Sequence, residues 1–143
     1  MNIEVLKETL KNQTVLYVED DESIRKTFSK ILQKVFGEVL TAENGKDGLE
    51  LFKTSIDKVD YVITDIKMPI MDGLDMVKYI KDMNPDVPCI LTTAHGEYDY
   101  FIRADEVGVY RYIQKPVNIT ELFEALSDYN SGKVVEKTNL GFI

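Results

Sequence analysis

Tyr61-Val62-Ile63-Thr64-Asp65-Ile66-Lys67-Met68-Pro69 is a short apolar run that closes on a carboxylate and opens into a proline loop. An unbroken apolar run of this length fits a strand covered on both faces. A carboxylate at its C-terminal end sits where open parallel sheets keep their ligands and chemistry. Working outward, Val15-Leu16-Tyr17-Val18 ends the same way in Glu19-Asp20-Asp21. Pro88-Cys89-Ile90-Leu91-Thr92 ends in Thr93-Ala94, and Tyr110-Arg111-Tyr112-Ile113-Gln114 ends in Lys115-Pro116. These strand ends together offer carboxylates, a hydroxyl and an ammonium.

The β-like runs, at 14–18, 38–41, 61–64, 87–92 and 110–114, alternate with segments of helical period. Ile24, Phe28, Ile31, Leu32 and Val35 share one helical face, and Leu49, Phe52 and Ile56 repeat the pattern. Leu74, Val77 and Ile80 do likewise, as do Ile119, Leu122, Phe123 and Leu126. Tyr98, Phe101 and Ile102 mark a fourth helix with many polar neighbours, which reads as the least firmly held. Gly37, Asn44-Gly45, Asp72-Gly73 and Asn84-Pro85 punctuate these segments at helix ends and starts. Repeated βα units predict an α/β fold, a doubly wound five-stranded parallel sheet with right-handed crossovers.

The expected organisation is an N-terminal extension over 1–13, one domain over 14–128 and a tail or linker start over 129–143. Ile3, Leu6 and Leu10 stand at helical spacing in the extension, as a short extra helix or a mobile leader. A chain of 143 residues, 44% hydrophobic, fits one core. Its net charge of −8 argues against direct nucleic-acid binding, which needs clustered Lys and Arg to displace counterions. No stretch approaches the roughly 20 apolar residues of a membrane span, and the charged N-terminus is unlike a signal peptide, so a cytoplasmic location is expected. Cys89 has no disulfide partner and reads as a packed thiol.

If the strands at 14–18 and 61–64 are neighbours, Glu19, Asp20 and Asp65 converge at one sheet edge. Their mutual repulsion raises at least one pKa unless a divalent cation neutralises the cluster. Magnesium suits such a site, since it takes hard oxygen ligands and commonly uses one or two carboxylates beside a phosphate oxygen. With that ion and Lys115 the charge balances near zero, so Asp65 becomes able to attack an anionic phosphoryl donor. Thr93 supplies a hydroxyl for the new phosphoryl group. Pro116 keeps Lys115 extended, with a Lys-Pro bond that is a candidate for the cis form. Each element alone has an ordinary reading. The acidic pair also reads as a solvated helix start capped by Asp20 or Asp21, and Lys115 as a surface cation.

Val-Glu-Asp-Asp-Glu at 18–22, Ile-Thr-Asp-Ile-Lys-Met-Pro at 63–69 with Met71-Asp72-Gly73, Thr-Thr-Ala at 92–94 and Tyr-Ile-Gln-Lys-Pro at 112–116 together carry a specific likeness. Over roughly residues 13–128 the chain resembles the CheY-like receiver domain of two-component response regulators. The resemblance implies the (βα)5 flavodoxin-like receiver fold, Asp65 as phospho-acceptor, Glu19 and Asp20 as the acidic pair, and Mg2+ as cofactor. It implies Lys67 as a metal ligand through its backbone carbonyl, Thr93 as the switch hydroxyl, Tyr112 as the rotameric aromatic and Lys115 as the phosphate-binding lysine. It further implies a histidine kinase or phosphotransfer protein as donor, and a downstream protein or covalently attached effector domain as target. On this reading the chain catalyses only its own phosphorylation and dephosphorylation, and the Tyr112 ring turns inward as Thr93 moves. Lys67 and the lone histidine, His95, flank the pocket and are expected to set the phosphoryl lifetime.

Two other readings compete. A magnesium-dependent phosphatase of the haloacid dehalogenase class also uses an aspartyl nucleophile, but its motif places a second Asp where Lys67 stands. A phosphorylation-independent binding module would not need the acidic pair, Asp65, Thr93 and Lys115 together.

Overall fold

The computed structural model describes residues 1–94 and 99–132. The elements run α1 (Ile3–Leu10), β1 (Thr14–Val18), α2 (Glu22–Gln33), β2 (Glu38–Ala42), α3 (Gly45–Thr54) and β3 (Val59–Asp65). They continue as α4 (Gly73–Met83), β4 (Cys89–Thr93), α5 (Asp99–Val107), β5 (Arg111–Gln114) and α6 (Ile119–Asn130). All strand pairs are parallel and the order is β2-β1-β3-β4-β5. The chain passes from β1 outward to β2, then returns to place β3 on the other side of β1. The crevice between the C-terminal ends of β1 and β3 is therefore the topological switch point.

Alternation along each strand builds two cores. Leu16, Val18, Val62 and Leu91 pack toward α3, α4 and α5, with Phe52, Leu74, Ile80 and Phe101. Val15, Tyr17, Ile63 and Ile90 pack toward α2 and α6, with Leu32, Phe36, Leu122 and Leu126. Burial on both faces is why β1, β3 and β4 read as nearly continuous apolar runs rather than alternating ones.

Helix starts follow their caps. Asn2, Asp21, Asn44, Asp72 and Asn118 each accept backbone N–H groups from the first turn of α1, α2, α3, α4 and α6. The 1–13 extension is an ordered helix: Leu6 and Leu10 of α1 are buried with Leu122, Ala125 and Leu126, in the same core as the sheet. Likewise α6 runs through Asn130, whose Oδ1 accepts the Tyr61 hydroxyl at 3.0 Å, which ties the end of the helix to β3. Of the expected tail, residues 133–143 lie outside the described residues, as do His95 and Tyr98.

Strand bounds shift where backbone chemistry demands it. β4 begins at Cys89 rather than 87, because Pro88 has no N–H for the ladder; its carbonyl still accepts Val62 N–H at 3.0 Å. β3 extends from Val59 and takes in Asp65 itself. Ile24 of α2 and Ile102 of α5 are exposed despite their periodic spacing; on α5, Phe101 and Ala104 already take the buried side. Ile56 falls beyond the end of α3, in the turn before β3. Cys89 is fully buried, and that burial pushes its thiol up to about 12, as expected for a packed, inert side chain.

Candidate functional site

Register brings the acidic groups together. Val18 pairs with Thr64 across β1 and β3, so Glu19 and Asp65, one residue on, emerge side by side. One oxygen each from Glu19, Asp20 and Asp65 lie within 4.8 Å of one another. Glu19 and Asp65 are buried and Asp20 is exposed at the mouth. Asp21 is the helix cap, its Oδ1 accepting Ile24 N–H at 2.9 Å. The acidic run thus divides its labour: Glu19 and Asp20 face Asp65, while Asp21 starts α2.

Lys115 closes the site from β5. The Lys115–Pro116 bond is cis, and Lys115 N–H donates to Thr93 O at 2.7 Å, tying the loop after β5 to the end of β4. Its ammonium lies 3.0 Å from Glu19 Oε1 and 3.0 Å from Asp65 Oδ2. The remaining oxygens accept main-chain donors, Glu19 Oε2 from Asp21 N–H at 3.1 Å and Asp65 Oδ1 from Ile66 N–H at 2.9 Å.

One ammonium does not balance three carboxylates in so enclosed a place. Burial raises the Asp65 carboxyl above the usual range, opposed by Lys115 and the Ile66 N–H and assisted by Asp20. Burial likewise raises Glu19, with the Asp65 charge adding to it and the Asp21 N–H and Lys115 opposing. Burial alone would lower Lys115, but Asp65 and Glu19 outweigh it and raise the ammonium above its ordinary value. The site is therefore anionic and short of positive charge. Its donors are hard carboxylate oxygens, which fits a divalent cation such as magnesium.

Thr93 is buried at the end of β4, beside the strand that carries Asp65. Tyr112 points away from the acids, and its hydroxyl is held by Asp105 of α5. Lys67 is exposed in the β3–α4 loop, its ammonium 5.9 Å from the centroid of the Tyr100 ring.

Three participants escaped the sequence reading. Gly73 reads as a helix start, yet a Cβ there would lie 1.9 Å from the Asp65 carbonyl oxygen, and its N–H donates to Ile66 O at 2.7 Å. The loop after Asp65 therefore folds back onto α4 only with glycine at that place. Asp105 and Arg25 are ordinary helix-surface charges by sequence; only folding shows what they reach.

The family model described as the response regulator receiver domain matches residues 15–127, and the chain belongs to that family. It is 35% identical over 114 residues to the transcriptional regulatory protein GlrR of Escherichia coli (strain K12), covering 80% of this chain and 25% of that protein. It is 29% identical over 120 residues to sporulation initiation phosphotransferase F of Bacillus subtilis (strain 168), covering 84% of this chain and 95% of that one. A crystal structure of a response regulator receiver domain protein from Clostridium thermocellum superposes with a TM-score of 0.76 at 33% identity, over 84% of this chain and 95% of that one. The chain spans about a quarter of the length of the first of these relatives. Receiver domains belong to two-component signalling, between kinases and effector domains. No helix among the described residues is long and apolar enough to cross a membrane.

Proposed function

We propose that Asp65 accepts a phosphoryl group from a histidine kinase or phosphotransfer protein, in a magnesium-dependent reaction, and that the modified domain presents an altered face to a partner. The observation that carries this is the buried Asp65 carboxylate beside Glu19 and Asp20, with the Lys115 ammonium 3.0 Å away. A carboxylate oxygen of Asp65 attacks phosphorus in line, forming an O–P bond, while the P–N bond of the donor phosphohistidine breaks and its electron pair leaves with the imidazole. Lys115, already at both buried carboxylates, moves onto the phosphoryl oxygens as they arrive. Glu19, Asp20, Asp65 and the Lys67 carbonyl would hold magnesium, which supplies neutralisation of charge on the transferring group. Glu19 has both oxygens engaged, so it is suited to act from behind the others.

The buried Thr93 hydroxyl then takes a phosphoryl oxygen, drawing the β4–α5 loop toward Asp65 and shifting α5 and β5, where Tyr112 lies. One hydroxyl hydrogen bond is worth about 1 kcal/mol, short of the roughly 5.5 kcal/mol that a full two-state reversal needs, so the response is a graded population shift. On this reading the chain works in the cytoplasm, with a downstream protein or attached effector domain as its target. The chain's own chemistry on this reading is limited to gaining and losing its phosphoryl group.

Incubation with a small phosphodonor and magnesium, followed by intact-mass measurement, tests the assignment. Wild type gains one base-labile phosphoryl group and Asp65→Asn gains none; undiminished labelling of the variant would sink the assignment.

A further inference from the structure

Arg25 belongs to none of the strand ends, yet it reaches one of them. From the first turns of α2 its Nη1 donates to Glu19 O at 2.7 Å and lies 3.4 Å from Asp20 O. Its Nη2 is 3.9 Å from Glu43 Oε2 on the β2–α3 corner, with side-chain exposures of 17% for Arg25 and 67% for Glu43. So loose a contact with a solvated carboxylate holds little. The guanidinium is committed to the main chain of the acidic corner: Nη1 is shared between two successive carbonyls while Nη2 is held on the Glu43 side, a planar arrangement that a single ammonium does not reproduce.

We propose that Arg25 is a positioning residue for the acidic corner. By holding the carbonyls of Glu19 and Asp20, it keeps both carboxylates turned toward Asp65 and so preorganises the divalent-cation site. This rests on the reading of Glu19, Asp20 and Asp65 as that site.

Charge and geometry give opposite signs here, which makes the proposal decidable. A cation beside an acidic cluster repels an incoming ion, so as a mere counter-charge its removal would tighten magnesium binding. As an orienting group its removal lets the corner relax and weakens binding, by roughly 10- to 100-fold for residues that orient metal ligands from behind. Two carbonyls on one guanidinium favour the second sign, because the contact is directional and made to the peptide rather than to the carboxylates.

Magnesium titration by calorimetry, with melting measured with and without the ion, separates the cases for wild type, Arg25→Met, Arg25→Lys and Asp20→Asn. We expect Arg25→Met to bind magnesium on the order of 10-fold more weakly. Arg25→Lys, which keeps the charge but not the planar guanidinium, falls between it and wild type. At saturating magnesium the rate of phosphoryl incorporation into Arg25→Met returns toward that of wild type, because the acceptor is untouched. A purely structural role would lower the metal-free melting point and leave magnesium affinity where it was; that result, or tighter binding, overturns the proposal. Should Arg25→Met fail to fold, wild-type affinity in Arg25→Lys overturns it equally. No magnesium binding by wild type, or undiminished binding by Asp20→Asn, overturns the cation-site reading itself and the proposal with it.

Discussion

The Tyr112 hydroxyl donates to Asp105 Oδ1 at 2.6 Å, which pins the aromatic ring of β5 beneath α5. The ring is buried and meets Phe101 edge-on with centroids 5.1 Å apart. In this structure the ring lies inside, where Asp105 supplies an acceptor for its hydroxyl. Breaking that bond should loosen α5 specifically. Tyr112→Phe is expected to cost about 1–2 kcal/mol, the scale of a hydrogen bond to a charged acceptor, and to lower hydrogen-exchange protection over residues 99–112. Asp105→Asn should give a weaker form of the same result, and unchanged exchange in both variants would show that the contact pins nothing.

Lys115 stands where positive charge is most needed, so its removal should have two opposed effects. Lys115→Met leaves Glu19 and Asp65 without their shared ammonium. The metal-free protein should lose about 2 kcal/mol, less than for a fully enclosed pair because Lys115 keeps 24% of its side-chain exposure. Magnesium should then stabilise the variant more than it stabilises wild type, while phosphoryl incorporation slows. Melting curves with and without magnesium report both; an equal magnesium shift in the two proteins would show that lysine and cation do not share a role.

The carboxyl shifts fix a pH dependence. Glu19 and Asp65 both titrate higher folded than unfolded, burial being the main cause. The folded state therefore holds more protons than the unfolded chain between the two values, and metal-free stability falls as pH rises through that window. Asp65→Asn removes one of the two groups. Its stability relative to wild type should improve as pH is raised from about 4 to about 7, as followed by urea unfolding. A difference that stays flat over this range would contradict the assignment of desolvation as the cause.

Two backbone positions near Asp65 predict changes of opposite sign. Ile70 adopts φ 72° in the loop after Pro69 and is 77% exposed, a left-handed conformation that a β-branched residue resists. Ile70→Gly should stabilise by about 1 kcal/mol, net of the entropy glycine loses on folding. Gly73→Ala should destabilise by about 3 kcal/mol, since its methyl would meet the Asp65 carbonyl oxygen, and should impair phosphorylation by displacing Asp65. Chemical denaturation of the pair decides both signs.

The sheet was legible in the sequence because its inner strands β1, β3 and β4 are buried on both faces, and such strands must be largely apolar. Asp65, Glu19, Asp20, Thr93 and Lys115 were legible for a related reason: polar groups that close apolar runs are few, and parallel strands gather them at one edge. What lay beyond reach depends on distance in space. Leu6 and Leu10 gave helical spacing but not whether that helix would dock, which depends on Leu122 and Leu126 more than a hundred residues away. Tyr112 meeting Asp105, Gly73 meeting the Asp65 carbonyl, and Arg25 meeting the Glu19 carbonyl are contacts between elements. Periodicity places a side chain on a face, and it fixes neither how far that side chain extends nor what the facing element presents. Sequence alone thus determined the order of elements and which residues reach the sheet edge. Tertiary packing decided which charges pair, which carbonyls are held and which way the aromatic turns, because those follow from the distances between elements.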